Sequence, residues 1–240
     1  MRKVLTLFFV SLFTITLSAQ ERKIKANGVV QEKNRRVQPY TKVVLEGELL
    51  VEILNNPFKN TIRTTGDGNV HQLIQATSAD GVLTIKRRPG FVIDNPTVPL
   101  KVSLISQDIS EITMTGDGGV LTNLGAIEVP KLTINNQGNG SMDLRIRVEE
   151  LLLNTENNGT VNLEGNANTI RINSNGAGDI KINEVSNFFT EVQSNGSGNI
   201  YTNTVNGIDG VLNGEGNLYY RFTKTVNVTE NGEGKAIKEI

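Results

Sequence analysis

The side chains best suited to chemistry in this sequence are carboxylates and amides that recur beside pairs of glycines. The position between the two glycines of successive pairs is filled by Asp67, Asp117, Asn139, Ala177, Ser197, Glu215 and Glu233. Calcium prefers several hard oxygen ligands, so neighbouring carboxylates at this position would offer a weak site for such a cation. Because only Glu215 and Glu233 place carboxylates in adjacent copies of the repeat, solvated turn residues are the main expectation, and neither a metal nor a cofactor is predicted.

Catalysis would need an arrangement that the sequence offers only weakly. His71 is the only histidine, and no serine or carboxylate stands at a spacing that marks it as part of a triad, so a surface position is expected. Chemistry on a polysaccharide would need convergent carboxylates, for which Asp117 and Asp179 are candidates, and usually aromatic platforms. Tryptophan is absent and aromatic residues make up 5% of the chain. We therefore expect no catalytic residues, with a polysaccharide lyase or hydrolase as the alternative.

Asparagines that precede the first glycine of a pair are the candidate ligand-binding residues. In a stacked repeat they would lie one above another. One interpretation is an amide ladder that satisfies the backbone groups of the turns, and the other is an exposed polar strip that hydrogen-bonds a glycan or another protein. The spacing fits both interpretations. These asparagines are Asn175, Asn195, Asn213 and Asn231.

The glycine pairs form a repeat with a period near nineteen residues. Counting a degenerate copy at Gly159, the second glycines from Gly118 onward are separated by 22, 19, 19, 20, 18 and 18 residues. Repeats of this length are typical of solenoids, propellers and arrays. The glycines assigned to structural turns are Gly66, Gly68, Gly116, Gly118, Gly138, Gly140, Gly176, Gly178, Gly196, Gly198, Gly214, Gly216, Gly232 and Gly234.

The residues around each pair indicate strands with one buried face. An aliphatic residue stands four positions before the first glycine, as in Ile112, Ile134 and Ile172, and apolar and polar residues alternate around it. A period of this length at about 3.3 Å per residue predicts a three-sided coil with strands of roughly four or five residues. Stacked coils of this kind form an all-β parallel β-helix, a solenoid. Glycine is expected at its corners because a left-handed backbone is costly for other residues.

The first half of the chain is less periodic than the second. Residues 37–110 contain strand-like alternation at irregular intervals, so these strands are expected to form irregular coils or a cap over the open end of the solenoid. Residues 111–240 are expected to form the regular coils. We therefore predict a single β-helix domain over residues 37–240, preceded by an N-terminal extension over residues 20–36.

Composition and the first residues bear on location and partners. The 24 basic and 25 acidic residues nearly cancel, whereas nucleic acid and anionic membranes select clustered lysine and arginine. The absence of cysteine excludes zinc fingers, iron–sulfur clusters and cysteine nucleophiles. Residues 1–19 combine a basic start, an apolar run and Ala19 before the cut, which is the pattern of a secretory signal peptide. We predict no membrane span after cleavage, and an exported protein that is periplasmic, outer-membrane-associated or secreted.

Four segments of the sequence resemble a known family. They are Val37–Val43, Asp80–Ile85, Ile109–Gly118 and Ser174–Ile180, and together they are similar to the putative auto-transporter adhesin, head GIN domain family, which is common among exported proteins of Bacteroidetes. The resemblance implies a β-helical fold and an exported protein of largely uncharacterised molecular function, and the family's name points to an adhesive role. We therefore expect a non-catalytic adhesin or cell-envelope binding protein whose partner is a glycan or an envelope protein. A purely structural envelope protein is a further alternative, and the oligomeric state stays open.

Overall fold

A computed structural model of the chain describes residues 21–54, 60–105, 108–123 and 125–239, and these residues are mostly in β-strands. The predicted signal peptide lies outside the described residues. Within them there is no α-helix, a single 3-10 turn covers His71–Leu73, and no helix could cross a membrane. The strands are β1 (Arg22–Lys25), β2 (Val30–Arg36), β3 (Lys42–Glu46), β4 (Leu50–Leu54), β5 (Thr61–Asp67), β6 (Ile74–Ala79), β7 (Val82–Arg87), β8 (Phe91–Asp94), β9 (Lys101–Ile105), β10 (Glu111–Met114), β11 (Gly119–Asn123), β12 (Ile127–Asn136), β13 (Ser141–Thr155), β14 (Val161–Ser174), β15 (Ile180–Ser194), β16 (Ile200–Thr202), β17 (Gly207–Leu212), β18 (Leu218–Tyr220), β19 (Thr225–Glu230) and β20 (Ala236–Lys238).

The regular coils lie in parallel register at the predicted period. β10 pairs with β12, and parallel pairing continues through β13, β14 and β15 to β17 and β19. The number of residues between paired positions in successive coils equals the number between successive second glycines. The predicted parallel β-helix is therefore confirmed. Followed through the ladder, one position of the coil is occupied in turn by Thr113, Asn135, Asn154, Asn173, Gln193, Val211 and Thr229.

The strands of the middle coils are longer than predicted. β13 and β15 each contain 15 residues and β14 contains 14, where strands of four or five residues were expected. In β13 the alternation of buried and exposed side chains is interrupted at the consecutive exposed residues Glu149 and Glu150, and pairing with β14 resumes at Glu150. The expected strand length was wrong because the hydrogen bonds between stacked coils continue around this bend.

The core consists of aliphatic side chains stacked inside the coils. Along one column, Ile112, Ile134, Leu153, Ile172 and Val192 are register partners, and each is at most 1% exposed. Alternation within each strand sends these side chains inward and their neighbours outward. Full burial of one such side chain contributes about 1.5–3 kcal/mol. Burial and the hydrogen-bonded ladders therefore stabilise a chain that has no disulfide.

The first half of the chain winds out of sequence order. β3 pairs in parallel with both β7 and β10, and β4 pairs in parallel with both β9 and β11. The coil of residues 42–54 therefore lies between the coil of residues 82–105 and the coil of residues 111–123. β5 and β6 then pair antiparallel with β9 and β7, and β2 pairs antiparallel with β5. These antiparallel strands cap one end of the solenoid, which confirms the irregular, capping role expected for the N-terminal strands.

Residues 20–36, expected to form an extension, contribute two strands. β2 joins the large sheet at the edge of the cap, and β1 forms a separate two-stranded parallel sheet with β8.

Candidate functional site

The paired glycines stack into two columns along one corner of the solenoid. A Cβ atom built on Gly196 would lie 1.9 Å from the carbonyl oxygen of Gly176 in the preceding coil, and one built on Gly198 would lie 2.2 Å from that of Gly178. The same contact recurs from coil to coil. The first column contains Gly47, Gly116, Gly138, Asn157, Gly176, Gly196, Gly214 and Gly232, and the second contains Leu49, Gly118, Gly140, Gly159, Gly178, Gly198, Gly216 and Gly234.

Close approach between coils explains glycine in these columns. Gly47 has a φ of +84°, but none of the other column glycines has a left-handed backbone. A side chain would instead overlap the carbonyl oxygen of the neighbouring coil, which is already engaged. The oxygen of Gly176, for example, accepts the backbone N–H groups of Ser197 and Gly198 at 3.1 and 3.2 Å. Asn157, which stands in the first column without being a glycine, does have a left-handed φ of 60°. For the column glycines other than Gly47, the expectation of a left-handed backbone was wrong, and the need for glycine has a different physical cause.

Gly66 and Gly68 lie outside both columns. They belong to β5 and the turn that follows it, in the antiparallel cap. Their nearest neighbours are side chains of the cap rather than a carbonyl oxygen of the next coil. Gly47 and Leu49 take the corresponding positions in the coil of residues 42–54. Assigning Gly66 and Gly68 to the repeat was wrong. The Gly-Asp-Gly motif occurs here at the end of β5, which pairs antiparallel with β2 and β9 and does not stack in the parallel coils.

The asparagines before the first glycine form a continuous hydrogen-bonded ladder on the surface. The side-chain Nδ2 of Asn195 donates to Oδ1 of Asn175 at 2.8 Å. Asn213 donates in the same way to Asn195 at 2.8 Å, and Asn231 donates to Asn213 at 2.9 Å. All four side chains are exposed. A side-chain amide has two N–H groups and two lone pairs on its oxygen. Asn195 and Asn213 each use one N–H and one lone pair within the ladder, so one N–H and one lone pair of each remain to bind a ligand.

A second ladder runs beside the second glycine of the pairs in the later coils. Oδ1 of Asp179 accepts the backbone N–H of Asn199 at 2.9 Å, and Oδ1 of Asn199 accepts that of Asn217 at 3.0 Å. The carboxylate of Asp117 similarly accepts Nδ2 of Asn139 at 2.9 Å. The two carboxylates considered for catalysis therefore act as hydrogen-bond acceptors between neighbouring coils.

An open groove of about 440 Å³ lies along the asparagine ladder. Glu215 and Glu233 line it one coil apart. Nowhere in the part of the chain that the structure describes do three acidic, histidine or cysteine side chains form a group that could hold a metal ion. The groove thus presents hydrogen-bond donors and acceptors, with two carboxylates among them. It is lined by Asn195, Gly196, Ser197, Asn213, Gly214, Glu215, Gly232 and Glu233.

Two tyrosines beside the second ladder were not among the predicted site residues. The rings of Tyr201 and Tyr219 stack with their centroids 4.9 Å apart and 9° between their planes. Nδ2 of Asn217 donates to the hydroxyl of Tyr219 at 3.3 Å, and burial raises the pKa of Tyr201. A signal was present in the sequence, because Gly-Asn-Ile-Tyr and Gly-Asn-Leu-Tyr recur in successive coils. The pair adds an aromatic edge to an otherwise polar corner.

Asp67 is a buried anchor, although its place between two glycines predicted a solvated turn residue. It is fully buried, and its carboxylate accepts the backbone N–H of Gly28 and both the backbone N–H and the hydroxyl of Thr97, each at 2.9 Å. These hydrogen bonds, that from the Thr97 amide foremost, lower the pKa of Asp67. Gly28 follows β1 and Thr97 follows β8, so this carboxylate ties both strands of the small sheet to the cap.

His71 was expected at the surface, but its exposed fraction is 8%. Its Nδ1 lies 2.8 Å from Oγ1 of Thr64 in β5. Burial, and then the positive charge of Lys33, lower the pKa of His71. The residue does not line the groove beside the asparagine ladder.

The stacked parallel coils define a β-solenoid whose exposed corner carries polar ladders. The chain belongs to the family described as "Putative auto-transporter adhesin, head GIN domain", whose model matches residues 39–221. The resemblance noted in the sequence is confirmed by this match. The comparison with curated proteins finds no match.

Solved structures share this fold at low sequence identity. A putative adhesin from Bacteroides fragilis NCTC 9343 matches with a TM-score of 0.81 and 22% identity, covering 90% of this chain and 100% of that chain. A putative lipid binding protein from Parabacteroides distasonis ATCC 8503 matches with a TM-score of 0.69 and 19% identity, and the match covers 91% of this chain and 100% of that chain. A putative adhesin from Parabacteroides merdae ATCC 43184 matches with a TM-score of 0.62 and 22% identity, and the match covers 91% of this chain and 99% of that chain. At these identities the likeness concerns the fold.

Proposed function

We propose that the protein is an exported, non-catalytic adhesin that binds a neutral glycan of a cell envelope or matrix. The observation that carries this proposal is the unbroken, exposed ladder from Asn175 to Asn231 beside an open polar groove. We call the ladder and the groove together the asparagine corner. The description of the family, and the names of two solved structures with the same fold, support an adhesive role.

The chemistry of the asparagine corner suits sugar hydroxyls, which both donate and accept hydrogen bonds. Each inner amide of the ladder keeps one donor and one acceptor free, and the coils repeat them about every 4.8 Å. A single such hydrogen bond contributes only about 0.5–1.5 kcal/mol net. Useful affinity therefore needs contacts to several coils at once, which favours a polymeric glycan over a single sugar.

The surroundings of the candidate carboxylates favour binding over catalysis. Asp117 and Asp179 each accept a hydrogen bond from the adjacent coil. A glycosidase needs two carboxyl groups on opposite sides of one sugar bond. Structural use of both side chains supports a binding role in preference to a lyase or hydrolase.

The proposed location follows from the same family and from the start of the sequence. The predicted signal peptide over residues 1–19 supports export, and an adhesive role requires contact with envelope or matrix material. A periplasmic, outer-membrane-associated or secreted protein would meet a glycan or an envelope protein there. Nucleic acid is not a proposed partner.

The test is a binding assay with paired variants. Asn195→Tyr with Asn213→Tyr places two bulky rings in the centre of the asparagine corner. Asn166→Tyr with Asn168→Tyr makes the same chemical change at two exposed positions of β14 that do not line the groove. Each purified protein is screened on arrayed neutral glycans and on envelope fractions, and its melting temperature is measured to confirm folding.

We expect saturable binding by the wild type and by the Asn166/Asn168 variant. The Asn195/Asn213 variant should bind at least roughly tenfold more weakly, because it loses several hydrogen bonds of the size given above. Equal binding by all three folded proteins would overturn the proposal. Release of sugar products, abolished by Asp117→Asn or Asp179→Asn, would favour an enzyme instead.

A second candidate function is supported by a groove of about 590 Å³ between β8 and the first coils, whose lining is mainly apolar but includes Glu48, Arg87 and Asp117. Leu50, Val92 and Ile93 are among its lining residues, and the ion pair of Arg87 with Glu48 lies in the same wall. This lining suits an acyl chain, and one structure with the same fold is called a putative lipid binding protein. Saturable binding of a dansyl-labelled fatty acid, lost in Val92→Asp, would support this function. Absence of binding by the wild type would exclude it for that ligand.

A further inference from the structure

A small cavity opens at the capped end of the solenoid, away from the asparagine corner. Its volume is about 190 Å³. The edge strand β2, the neighbouring β5 and the segment around the 3-10 turn form its walls. The lining residues are Lys33, Asn34, Arg35, Ile62, Thr64, His71 and Ile74.

Strand register explains why two cations reach this cavity. In the antiparallel pair, Lys33 of β2 lies opposite Thr64 of β5, and Arg35 lies opposite Ile62. Thr64 and Ile62 are buried, so the face that they share with Lys33 and Arg35 is the one turned toward the interior of the cap. Because β2 is the edge strand, its long cationic side chains extend over the end of the core. Inward-pointing charges of this kind also protect an edge strand from further pairing.

The cavity carries positive charge without a matching carboxylate. Among the residues that the structure describes, no acidic side chain lines it. Among the described residues neither Lys33 nor Arg35 forms an ion pair, and the amine of Lys33 donates to the carbonyl oxygen of Gly68 at 3.5 Å. Glu32, adjacent in sequence, instead faces Arg63, with 3.6 Å between the charged groups.

His71 adds a hydrogen-bonding group to the same cavity. It is buried, and its Nε2 makes no hydrogen bond of good geometry among the described residues, although backbone groups of Gly66 and Gln31 lie close enough to favour protonation of the ring. The hydroxyl of Thr64 also lies 3.5 Å from the carbonyl oxygen of Lys33. When that hydroxyl donates to Nδ1 instead, or when the ring is protonated, Nε2 carries a hydrogen that it can donate. Leaving a buried donor unpaired has a free-energy cost. A bound acceptor would remove that cost.

We propose that this cavity binds an oxyanion, a sulfate or phosphate group. Lys33 and Arg35 supply the charge, since the guanidinium plane and the amine both form strong charge-assisted hydrogen bonds with such groups. His71 lines the same cavity, and its imidazole adds a further hydrogen-bond donor. The group can come from a sulfated glycan or from the headgroup of an anionic lipid, because both present the same chemistry. This site is independent of the asparagine corner and of the function proposed for it.

Binding of an oxyanion should change the titration of His71 in a defined direction. Lys33 and Arg35 are the charged groups among the described residues that line the cavity; the charge of Lys33 opposes protonation of the imidazole, whereas backbone groups of Gly66 and Gln31 favour it. The nearest carboxylate along the chain is Asp67, which is held by Thr97 and Gly28. A bound anion stabilises the imidazolium, so it should raise the pKa of His71. By linkage, the anion should bind more tightly as the pH falls.

The chain has a single histidine, so its imidazole carbon-bound protons give an unambiguous NMR signal. We would titrate the wild type with sodium sulfate and with inorganic phosphate, keeping ionic strength constant with sodium chloride. The pKa of His71 is measured at each anion concentration. Lys33→Gln with Arg35→Gln removes the two charges of the cavity. Lys181→Gln with Lys224→Gln removes the same charge from two exposed lysines outside it.

We expect a saturable upward shift of the His71 pKa in the wild type and in the Lys181/Lys224 variant. In the Lys33/Arg35 variant the apparent affinity for sulfate should fall at least tenfold. A shift that grows without saturation, or one that is the same in all three proteins, would overturn the site. In further arms, competition by a sulfated polysaccharide is compared with competition by vesicles that contain phosphatidylglycerol, which separates the two sources. Loss of neutral-glycan binding in the Asn195/Asn213 variant leaves this result unaffected.

Discussion

Replacing Gly196 by alanine should weaken the solenoid far more than replacing Gly119 by alanine, although both glycines lie in stacked coils. A Cβ at position 196 would lie 1.9 Å from the carbonyl oxygen of Gly176, a backbone atom that cannot rotate away. A Cβ at position 119 would have Ser141 Oγ as its nearest neighbour, at the ordinary contact distance of 3.7 Å. The pair therefore separates the effect of close approach from the general effect of losing a glycine.

Relieving the overlap at position 196 requires the coils to separate at this corner. The oxygen of Gly176 accepts two backbone hydrogen bonds there, from Ser197 and Gly198, at about 0.5–1.5 kcal/mol each. Overpacking of a close contact typically costs a further 1–3 kcal/mol or so. We expect Gly196→Ala to lower the free energy of unfolding by about 2–6 kcal/mol. Gly119→Ala should change it by less than about 1 kcal/mol, with stabilisation the favoured direction.

Chemical denaturation followed by far-UV circular dichroism measures both variants. The denaturant midpoint and the slope are compared with those of the wild type, because a changed slope would indicate loss of two-state unfolding in a repeat protein. A loss below about 0.5 kcal/mol for Gly196→Ala, the size of an ordinary surface change, would refute the close-approach explanation. Equal losses in the two variants would refute it as well.

Asp67→Asn should free the small sheet, because the amide nitrogen would replace one acceptor oxygen and face the backbone N–H of either Thr97 or Gly28. Trypsin should then cleave within β1 faster than in the control Asp94→Asn, and equal rates would contradict the anchor. Between neutral pH and about pH 5, the wild type should lose stability through His71. Its folded pKa lies below the unfolded value of about 6.5, so this stability is present above pH 6.5 or so and is lost as the pH falls through the folded pKa. His71→Gln should remove this component from thermal unfolding measured across that range, and an unchanged pH profile would argue against it. Ile172→Ala should cost about 2–5 kcal/mol in the same denaturation assay, since it opens a cavity in a fully stacked column; a cost like that of a surface residue would contradict the core.

The regular coils could be predicted because two signals in the sequence share one period. Glycines mark the corner where coils touch, and aliphatic residues such as Ile134 and Ile172 mark the inner face. Each coil pairs with the next in sequence, so a step along the chain equals a step along the axis. The strand length was not predictable in the same way, because exposed pairs such as Glu149 and Glu150 mark a bend without showing whether the ladder breaks there.

The capped half could not be predicted because its pairing is not sequential. The coil of residues 42–54 lies between two coils formed by later segments, and no local pattern records that insertion. Leu49 occupies a column position that is otherwise glycine, which hid this copy of the repeat. Gly66 and Gly68 carried the motif into an antiparallel strand instead.

The candidate site was predictable to the extent that it follows the repeat. The repeat period alone predicts that Asn195 lies above Asn213. The exposure of these side chains and the hydrogen bond between them depend on the three-dimensional structure and could not be predicted. Asp67 was missed because its partners, Gly28 and Thr97, stand 39 and 30 residues away. The burial of His71 depends in the same way on strands that the sequence does not place.

Distances between spin labels test most directly whether the coils stack in one column. The chain has no cysteine, so introduced pairs can be labelled without background. A label at Thr115 is combined with one at Asn195, Asn213 or Asn231, which lie four, five and six coils further along the same corner. Double electron–electron resonance should give distances near 19, 24 and 29 Å between backbone positions, rising by about 4.8 Å per coil. Distances that do not increase in equal steps would contradict the stacked corner and the binding surface built on it.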